Sequence, residues 1–185
     1  MNKTKTFKMA MVGLMAALFC IAGPNSIPIP ISPVPISFTN LAVFFAAFVL
    51  SWKLCGLSFI IYILLGAVGL PVFSGYTGGL AKLAGPTGGY IIGFIFTAMI
   101  CAFFVEKFHS RIYMNILGMI LGMIIAYIFG TAWFMIQQGT SLASALTLCV
   151  IPYLIGDALK IAAAAVLGPV IRKSLVKASL IKAEA

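Results

Sequence analysis

Long apolar runs, separated by short basic segments or by segments rich in glycine and proline, make up most of this 185-residue chain. A membrane-spanning helix requires about 20 mostly apolar residues. Six runs approach that length, and each is predicted to form a span: 9–23, 38–52, 54–70, 88–105, 113–136 and 148–170. The pattern predicts an all-α integral membrane protein, in which residues 1–185 form one domain, a six-transmembrane-helix bundle with long external loops.

Composition and charge agree with this prediction. Hydrophobic residues make up 63% of the chain and charged residues 8%, which is far from the composition of a soluble domain. The net charge of +9 does not indicate nucleic acid, because the basic residues form short clusters between the apolar runs. If both termini are cytoplasmic, all these clusters lie on the cytoplasmic side of the membrane. The loops on the other side then carry only one basic residue, Lys82. We expect a multi-pass protein of the cell membrane.

The first 23 residues also resemble a secretory signal peptide, with a basic start, an apolar middle and small residues near Gly23. Cleavage would leave five spans and place the new N-terminus outside. We interpret the segment as a retained span.

Two predicted external segments have unusual compositions. Residues 24–37 contain five prolines that alternate with apolar residues, so they cannot be helical and should be extended. They are either a connector on the bilayer surface or, as we favour, a strand-like cover over a cavity. Residues 71–90 contain six glycines together with apolar residues. They form either a flexible connector or, as we favour, a loop that dips back into the protein.

Asp157 and Lys160 lie within the last predicted span, three residues apart and therefore on one helix face. Each costs about 2.5–3.5 kcal/mol at the membrane centre. The pair is either a self-contained ion pair that holds the bundle together or, as we favour, a polar site facing a cavity, because a buried ion pair is a poor source of stability. A carboxylate acceptor beside an ammonium donor matches a ligand with N–H and C=O on one edge.

Other polar residues cluster at the same end of the predicted bundle. Each alone is explained as a helix cap or an interfacial anchor, but together they could line one pocket with apolar walls. The polar set is Ser37, Thr39, Asn40, Thr87, Tyr90, Gln137 and Gln138, and the apolar walls include Phe38, Tyr76 and Trp133.

The first span carries a stripe of small residues, Ala10, Gly13 and Ala17. Small residues at this spacing allow close helix contact in lipid. The contact is either with another helix of this bundle or with a partner membrane protein, and the sequence does not decide between them.

Nothing in the sequence indicates an enzyme or a metal site. There is no phosphate-binding loop, His109 is solitary, and the four cysteines lack metal-ligand spacing. We expect no catalytic residues, no metal and no cofactor.

Residues 69–94, GLPVFSGYTGGLAKLAGPTGGYIIGF, together with GDALK at 156–160, closely resemble the BioY family. Its members are the biotin-specific substrate-binding (S) components of energy-coupling-factor (ECF) transporters. The resemblance implies a six-helix bundle that binds biotin near its external face. It also implies a separate ECF module, with one transmembrane coupling protein and two ATPases, on which the first-span stripe docks. The usual docking pattern is Ala-x-x-x-Ala, whereas this chain has Gly13 and Ala17.

The residues themselves fit biotin: its ureido ring has two N–H groups and one carbonyl, so we expect Asp157 to accept from the N–H groups and Lys160 to donate to the carbonyl. The carboxylate would take its donors from Asn40, Tyr90, Lys82 or the first backbone N–H groups of the fourth span. Further predicted binding residues are Phe38, Thr87, Gly88 and Gly89. Two alternatives stay open: a self-sufficient carrier for biotin or a similar small vitamin, and a structural membrane protein without a ligand.

Overall fold

The computed structural model describes residues 3–30, 32–108 and 111–181. His109, the solitary histidine of the sequence, lies outside these ranges. Helices and two short strands follow one another along the chain: α1 (Lys3–Ala22), β1 (Ser26–Ile29), β2 (Ser32–Ser37), α2 (Thr39–Val49), α3 (Trp52–Ala67), α4 (Leu80–Ala84), α5 (Gly88–Phe108), α6 (Ile112–Gln138), α7 (Leu142–Cys149) and α8 (Leu154–Lys177).

The helix lengths support a membrane protein but do not reproduce all six predicted spans. Four stretches are long and apolar enough to cross a bilayer: Lys5–Ala22, Gly88–Phe108, Ile112–Gln138 and Leu142–Lys177. The apolar helices α2 and α3 are shorter, with 11 and 16 residues. They are separated by two extended residues, Leu50 and Ser51. The mostly helical membrane fold is thus confirmed, whereas length and composition alone indicate four spans.

Small residues bring the long helices α5 and α6 close together. A Cβ at Gly93 would lie 3.0 Å from the Ala126 Cα, and one at Gly122 would lie 2.9 Å from a Thr97 methyl group. The Thr97 hydroxyl donates across this interface to the Gly122 carbonyl at 2.7 Å. Close backbone approach of this kind is how helices associate in lipid, where apolar burial gives little driving force.

The proline-rich segment forms an antiparallel hairpin, β1–β2, in agreement with the extended backbone that its prolines predict. Ser26 pairs with Ser37 and Ile27 pairs with Ile36. The Tyr153 hydroxyl, just before α8, donates to the Val34 carbonyl. The hairpin is therefore attached to the start of α8.

The glycine-rich segment turns back into the protein, as favoured above. Phe73 is fully buried, and the centroid of its ring lies 5.5 Å from the ring centroid of Tyr62 in α3. Gly66 makes room for it, since a Cβ at that position would overlap the Phe73 ring. The segment then forms the short helix α4 before α5 begins.

Two contacts join the helix ends at the end of the bundle away from the hairpin. Glu106, near the end of α5, accepts the Trp52 N–H at the start of α3 at 3.1 Å. The Arg172 guanidinium of α8 donates to the Phe48 carbonyl of α2 at 3.2 Å. The turn between α2 and α3 therefore lies beside the ends of α5 and α8.

Helix α7 is an element that the sequence analysis did not predict between residues 136 and 148. The Ser141 side chain caps it by accepting the Ser144 N–H. A 3-10 turn, Ile151–Tyr153, separates it from α8. This break places the Tyr153 hydroxyl against the hairpin.

Candidate functional site

A cavity lies beneath the β1–β2 hairpin, between α2, α3, α5, α6 and α8. Aromatic and apolar side chains form much of its wall, including Phe59, Tyr62, Phe73, Phe94 and Met123. Seven polar residues singled out in the sequence line it: Ser37, Thr39, Asn40, Thr87, Tyr90, Asp157 and Lys160. An apolar wall with a few polar groups is typical of a small-molecule site.

Asp157 and Lys160 form an ion pair in this wall, with Nζ and Oδ1 3.0 Å apart and both side chains about nine-tenths buried. The carboxylate has two more donors. The Asn40 side-chain N–H donates to Oδ1 at 2.7 Å, and the Tyr127 hydroxyl donates to Oδ2. Since a carboxylate has about four acceptor positions, one position on Oδ2 remains open to a ligand.

All three protons of Lys160 are engaged. Nζ donates to the Asp157 carboxylate at 3.0 Å, to the Asn40 side-chain oxygen at 3.0 Å and to the Ser37 backbone carbonyl at 2.7 Å. Asn40 therefore bridges both members of the ion pair. Ser37 ends strand β2, so this network also connects α8 to the hairpin.

Some predicted binding residues lie outside the cavity wall. Phe38 is 38% exposed, and Lys82, on α4, is half-buried, which lowers the pKa of its ammonium group. Neither residue is part of the lining. Of the wider polar and aromatic set, Tyr76, Gln137 and Gln138 are exposed.

Gly88 and Gly89 serve the packing around the cavity rather than its surface. A Cβ at Gly88 would overlap the carbonyl oxygen of Leu83, and a Cβ at Gly89 would overlap Trp133. The Trp133 indole N–H donates to the Gly85 carbonyl at 2.9 Å. These contacts fix the segment that leads into α5. A contact of any predicted residue with a ligand stays a prediction.

Sequence reasoning missed two tyrosines of the site, Tyr127 and Tyr153. Both line the cavity. One signal was available for Tyr127: it lies in the middle of an apolar span, and a tyrosine hydroxyl there requires a partner. Its partner, Asp157, is 30 residues away in the sequence, so spacing alone could not identify the pair.

The small-residue stripe of α1 faces outward. Ala10, Gly13 and Ala17 are exposed, and no atom from another element of the described chain lies within 4 Å of a Cβ built on Gly13. Leu14 and Ile21, both more than half exposed, extend the same uncovered face. The stripe is therefore not packed against another helix in the described part of this chain, and docking of a partner stays a prediction.

Comparison with known proteins gives the family. The profile of the BioY family matches residues 1–177. A probable biotin transporter BioY from Pyrococcus horikoshii is 34% identical over 163 residues, which cover 88% of this chain and 94% of that protein. A biotin transporter BioY from Rhizobium etli is 32% identical over 174 residues, with 88% and 91% covered.

A solved structure agrees with these relatives. The crystal structure of the S-component for biotin from an ECF-type ABC transporter superposes with a TM-score of 0.85 at 28% identity. The match covers 94% of each chain. Sequence and fold thus lead to one assignment: the chain belongs to the BioY family.

Proposed function

We propose that this chain binds biotin and acts as the substrate-capture subunit of an ECF transporter for biotin uptake. The observation that carries the proposal is the buried Asp157–Lys160 pair in the wall of a largely apolar cavity. Buried ion pairs add little stability, so their presence in a membrane bundle favours a binding role. The structural match to a biotin S-component supports the same conclusion.

The chemistry of the site suits the ureido ring of biotin. The free acceptor position on Asp157 Oδ2 takes one ureido N–H. The three Lys160 protons are engaged, so the ureido carbonyl accepts one of them by displacing an oxygen that now holds it. The aromatic and thioether side chains of the wall suit the thioether ring and the aliphatic chain.

Titration of the purified chain with biotin, by calorimetry in detergent, tests the function. We expect saturable binding by the wild type, and binding at least about tenfold weaker in Asp157→Asn and Lys160→Ala, because each removes a charged hydrogen-bonding partner. Glu106→Gln is the matched control, since Glu106 lies outside the cavity wall. Absence of binding by the folded wild type contradicts the proposal, as does wild-type affinity in both cavity variants.

The energy for uptake would come from a separate ECF module, with one transmembrane coupling protein and two ATPases. The uncovered α1 face, with Ala10, Gly13 and Ala17, is the surface on which we expect that module to dock. Uptake of biotin by the purified chain alone in proteoliposomes would instead favour a self-sufficient carrier.

For the membrane topology, we propose six spans with both termini cytoplasmic. The contacts of Glu106 and Arg172 bring the α2–α3 turn, the end of α5 and the end of α8 together, and Lys53, Lys107 and Lys173 lie near these contacts in sequence. A common basic end of this kind is expected on the cytoplasmic side. Helices α2 and α3 would complete the six spans although they are short.

A further inference from the structure

If the chain binds biotin as proposed above, the Asp157–Lys160 pair has to keep one geometry in the cavity wall. The two side chains lie about one turn apart on α8, and both are about nine-tenths buried. Long side chains have several rotamers, and a binding group that changes rotamer presents a misplaced donor or acceptor to the ligand. A third group that contacts both members would fix their geometry before the ligand arrives.

Asn40, the second residue of α2, makes both contacts. Its Nδ2 donates to Asp157 Oδ1 at 2.7 Å, and its Oδ1 accepts from Lys160 Nζ at 3.0 Å. The side chain is buried in the cavity wall. The reverse orientation of the amide would place its oxygen against the carboxylate and its N–H groups against the ammonium group. The two charges therefore favour a single orientation of this amide.

The remaining hydrogen-bonding positions of the Asn40 amide are also occupied. The Leu41 backbone N–H donates to Oδ1 at 3.1 Å, and Nδ2 lies 3.8 Å from Met123 Sδ, a weak acceptor. A carboxamide has two donor and two acceptor positions, so each of them already has a partner. The sequence analysis expected Asn40 to donate to the ligand's carboxylate. These contacts favour a residue that acts through Asp157 and Lys160 instead.

The amide of Asn40 also preserves the charge balance of the wall. Asp157 and Lys160 are the only charged side chains among the described residues that line the cavity, and their charges cancel. A carboxylate at position 40 would add a second negative charge beside Asp157 Oδ1, and two carboxylates that close repel each other strongly. The other titratable groups of the wall are neutral phenols and one thiol, from Tyr62 of α3, Tyr90 of α5, Tyr127 of α6, Cys149 of α7 and Tyr153 before α8.

We propose that Asn40 is a positioning residue of the ligand site, whose neutral amide bridges Asp157 and Lys160 and fixes both for the ureido ring. This inference rests on the proposed function, because it concerns the same site. Any replacement at position 40 has to donate to Asp157 and accept from Lys160 at the same time. A protonated carboxyl group meets this requirement, since its O–H donates and its carbonyl accepts, whereas an ionised carboxylate or an apolar side chain does not.

The test compares Asn40→Leu and Asn40→Asp with the wild type by calorimetric titration with biotin in detergent, at about pH 5 and about pH 8. Comparison at the same pH cancels the ionisation of biotin itself. Asn40→Leu loses both bonds to charged groups, so its affinity should be at least about tenfold weaker at either pH. Asn40→Asp should be about tenfold weaker at the higher pH. At the lower pH the two carboxyl groups share one proton, which restores the donor to Asp157, so this deficit should shrink at least about threefold.

Asn115→Leu is the matched control. Asn115, on α6, is a buried asparagine whose side chain has no partner among the described residues, and it does not line the cavity. This variant should bind biotin as the wild type does at either pH.

Thermal unfolding in detergent establishes that each variant is folded, and if Asn40→Leu does not fold, the pH dependence of Asn40→Asp decides alone. Wild-type affinity in a folded Asn40→Leu overturns the positioning role, as does a deficit in Asn40→Asp that is the same at both pH values. Failure of the wild type to bind biotin at all overturns the proposed function instead, so the two failures are distinguishable.

Discussion

The cavity wall around Asp157 and the outer face of α1 are opposites in chemistry and in burial. In the wall, Asp157, Lys160 and Asn40 are enclosed, and each is hydrogen-bonded to the others. On α1, Gly13 and its neighbours Ala10 and Ala17 carry no polar group and no helix of the described chain covers them. The first region is covered by the chain itself, and the second is left uncovered by the described part of the chain.

The difference matches the two tasks proposed above for this bundle, ligand binding in the cavity and docking on α1. A site for a small polar ligand requires groups held in position before binding, which the hydrogen-bonded network provides. A helix face that packs against another membrane helix requires a flat surface of small side chains, because close approach stabilises helix association in lipid. Changes in one region should therefore leave the task of the other intact.

The largest expected effect concerns the Asp157–Lys160 ion pair, where one substitution leaves a charge unbalanced and a second removes that charge. Lys160→Ala leaves the Asp157 carboxylate buried without its counter-charge, which typically lowers stability by about 3–5 kcal/mol. Adding Asp157→Asn removes that charge, so the double variant should recover much of the lost stability while biotin binding stays at least about tenfold weaker than in the wild type. Thermal unfolding in detergent and calorimetric titration measure the two quantities.

Recovery of binding along with stability in the double variant would mean that the pair serves only the fold. The cavity wall and the α1 face would then differ in packing and burial, but the ion pair would have no role in ligand binding.

The next effect concerns the α1 face. Gly13→Leu places a bulky side chain on a surface where the described chain offers no steric conflict, so folding and biotin affinity should be unchanged. In cells that also supply an ECF module, uptake of labelled biotin should fall at least about tenfold, because the partner helix can no longer approach closely.

Ala162→Leu is the matched control for this variant, since Ala162 is an exposed small residue on α8. Normal uptake with Gly13→Leu, or equal losses in both variants, would remove the docking role from the stripe.

The smallest effect is expected at Glu106, an acidic residue that belongs to neither region. Its carboxylate accepts the Trp52 N–H at the start of α3. Loss of such an acceptor costs about 0.5–2 kcal/mol, so Glu106→Ala should lower the unfolding temperature slightly and leave biotin affinity unchanged. Glu106→Gln keeps an acceptor oxygen and should be closer to the wild type. A clear change of biotin affinity in either variant would show that the two ends of the bundle are coupled.

The local features of the fold were predictable because they depend on short stretches of sequence. The prolines between residues 24 and 37 exclude helix, and the segment forms the β1–β2 hairpin. The spacing of three between Asp157 and Lys160 puts them on one helix face, and they meet there at 3.0 Å. Helix α7 was missed because its short apolar run is continuous with that of the neighbouring span.

The long-range features of the site were not predictable from spacing. Asn40 reaches Asp157 across 117 residues, and Tyr153 reaches the hairpin across 119 residues, so both pairings follow from the three-dimensional packing. Phe38 was predicted to bind the ligand, but it is not part of the cavity lining. Its neighbours in the sequence, Ser37 and Thr39, line the cavity, whereas Phe38 is partly exposed.

The bond from Lys160 to the Ser37 carbonyl has a consequence for ligand selection. An ammonium group has three protons, and here each already has an oxygen. A ligand that takes one of these protons must release an oxygen that held it, and if that oxygen is Ser37's, the end of strand β2 is detached from α8. Affinity at this position is then the difference between two satisfied arrangements, so a weakly accepting ligand gains little by the exchange and is rejected.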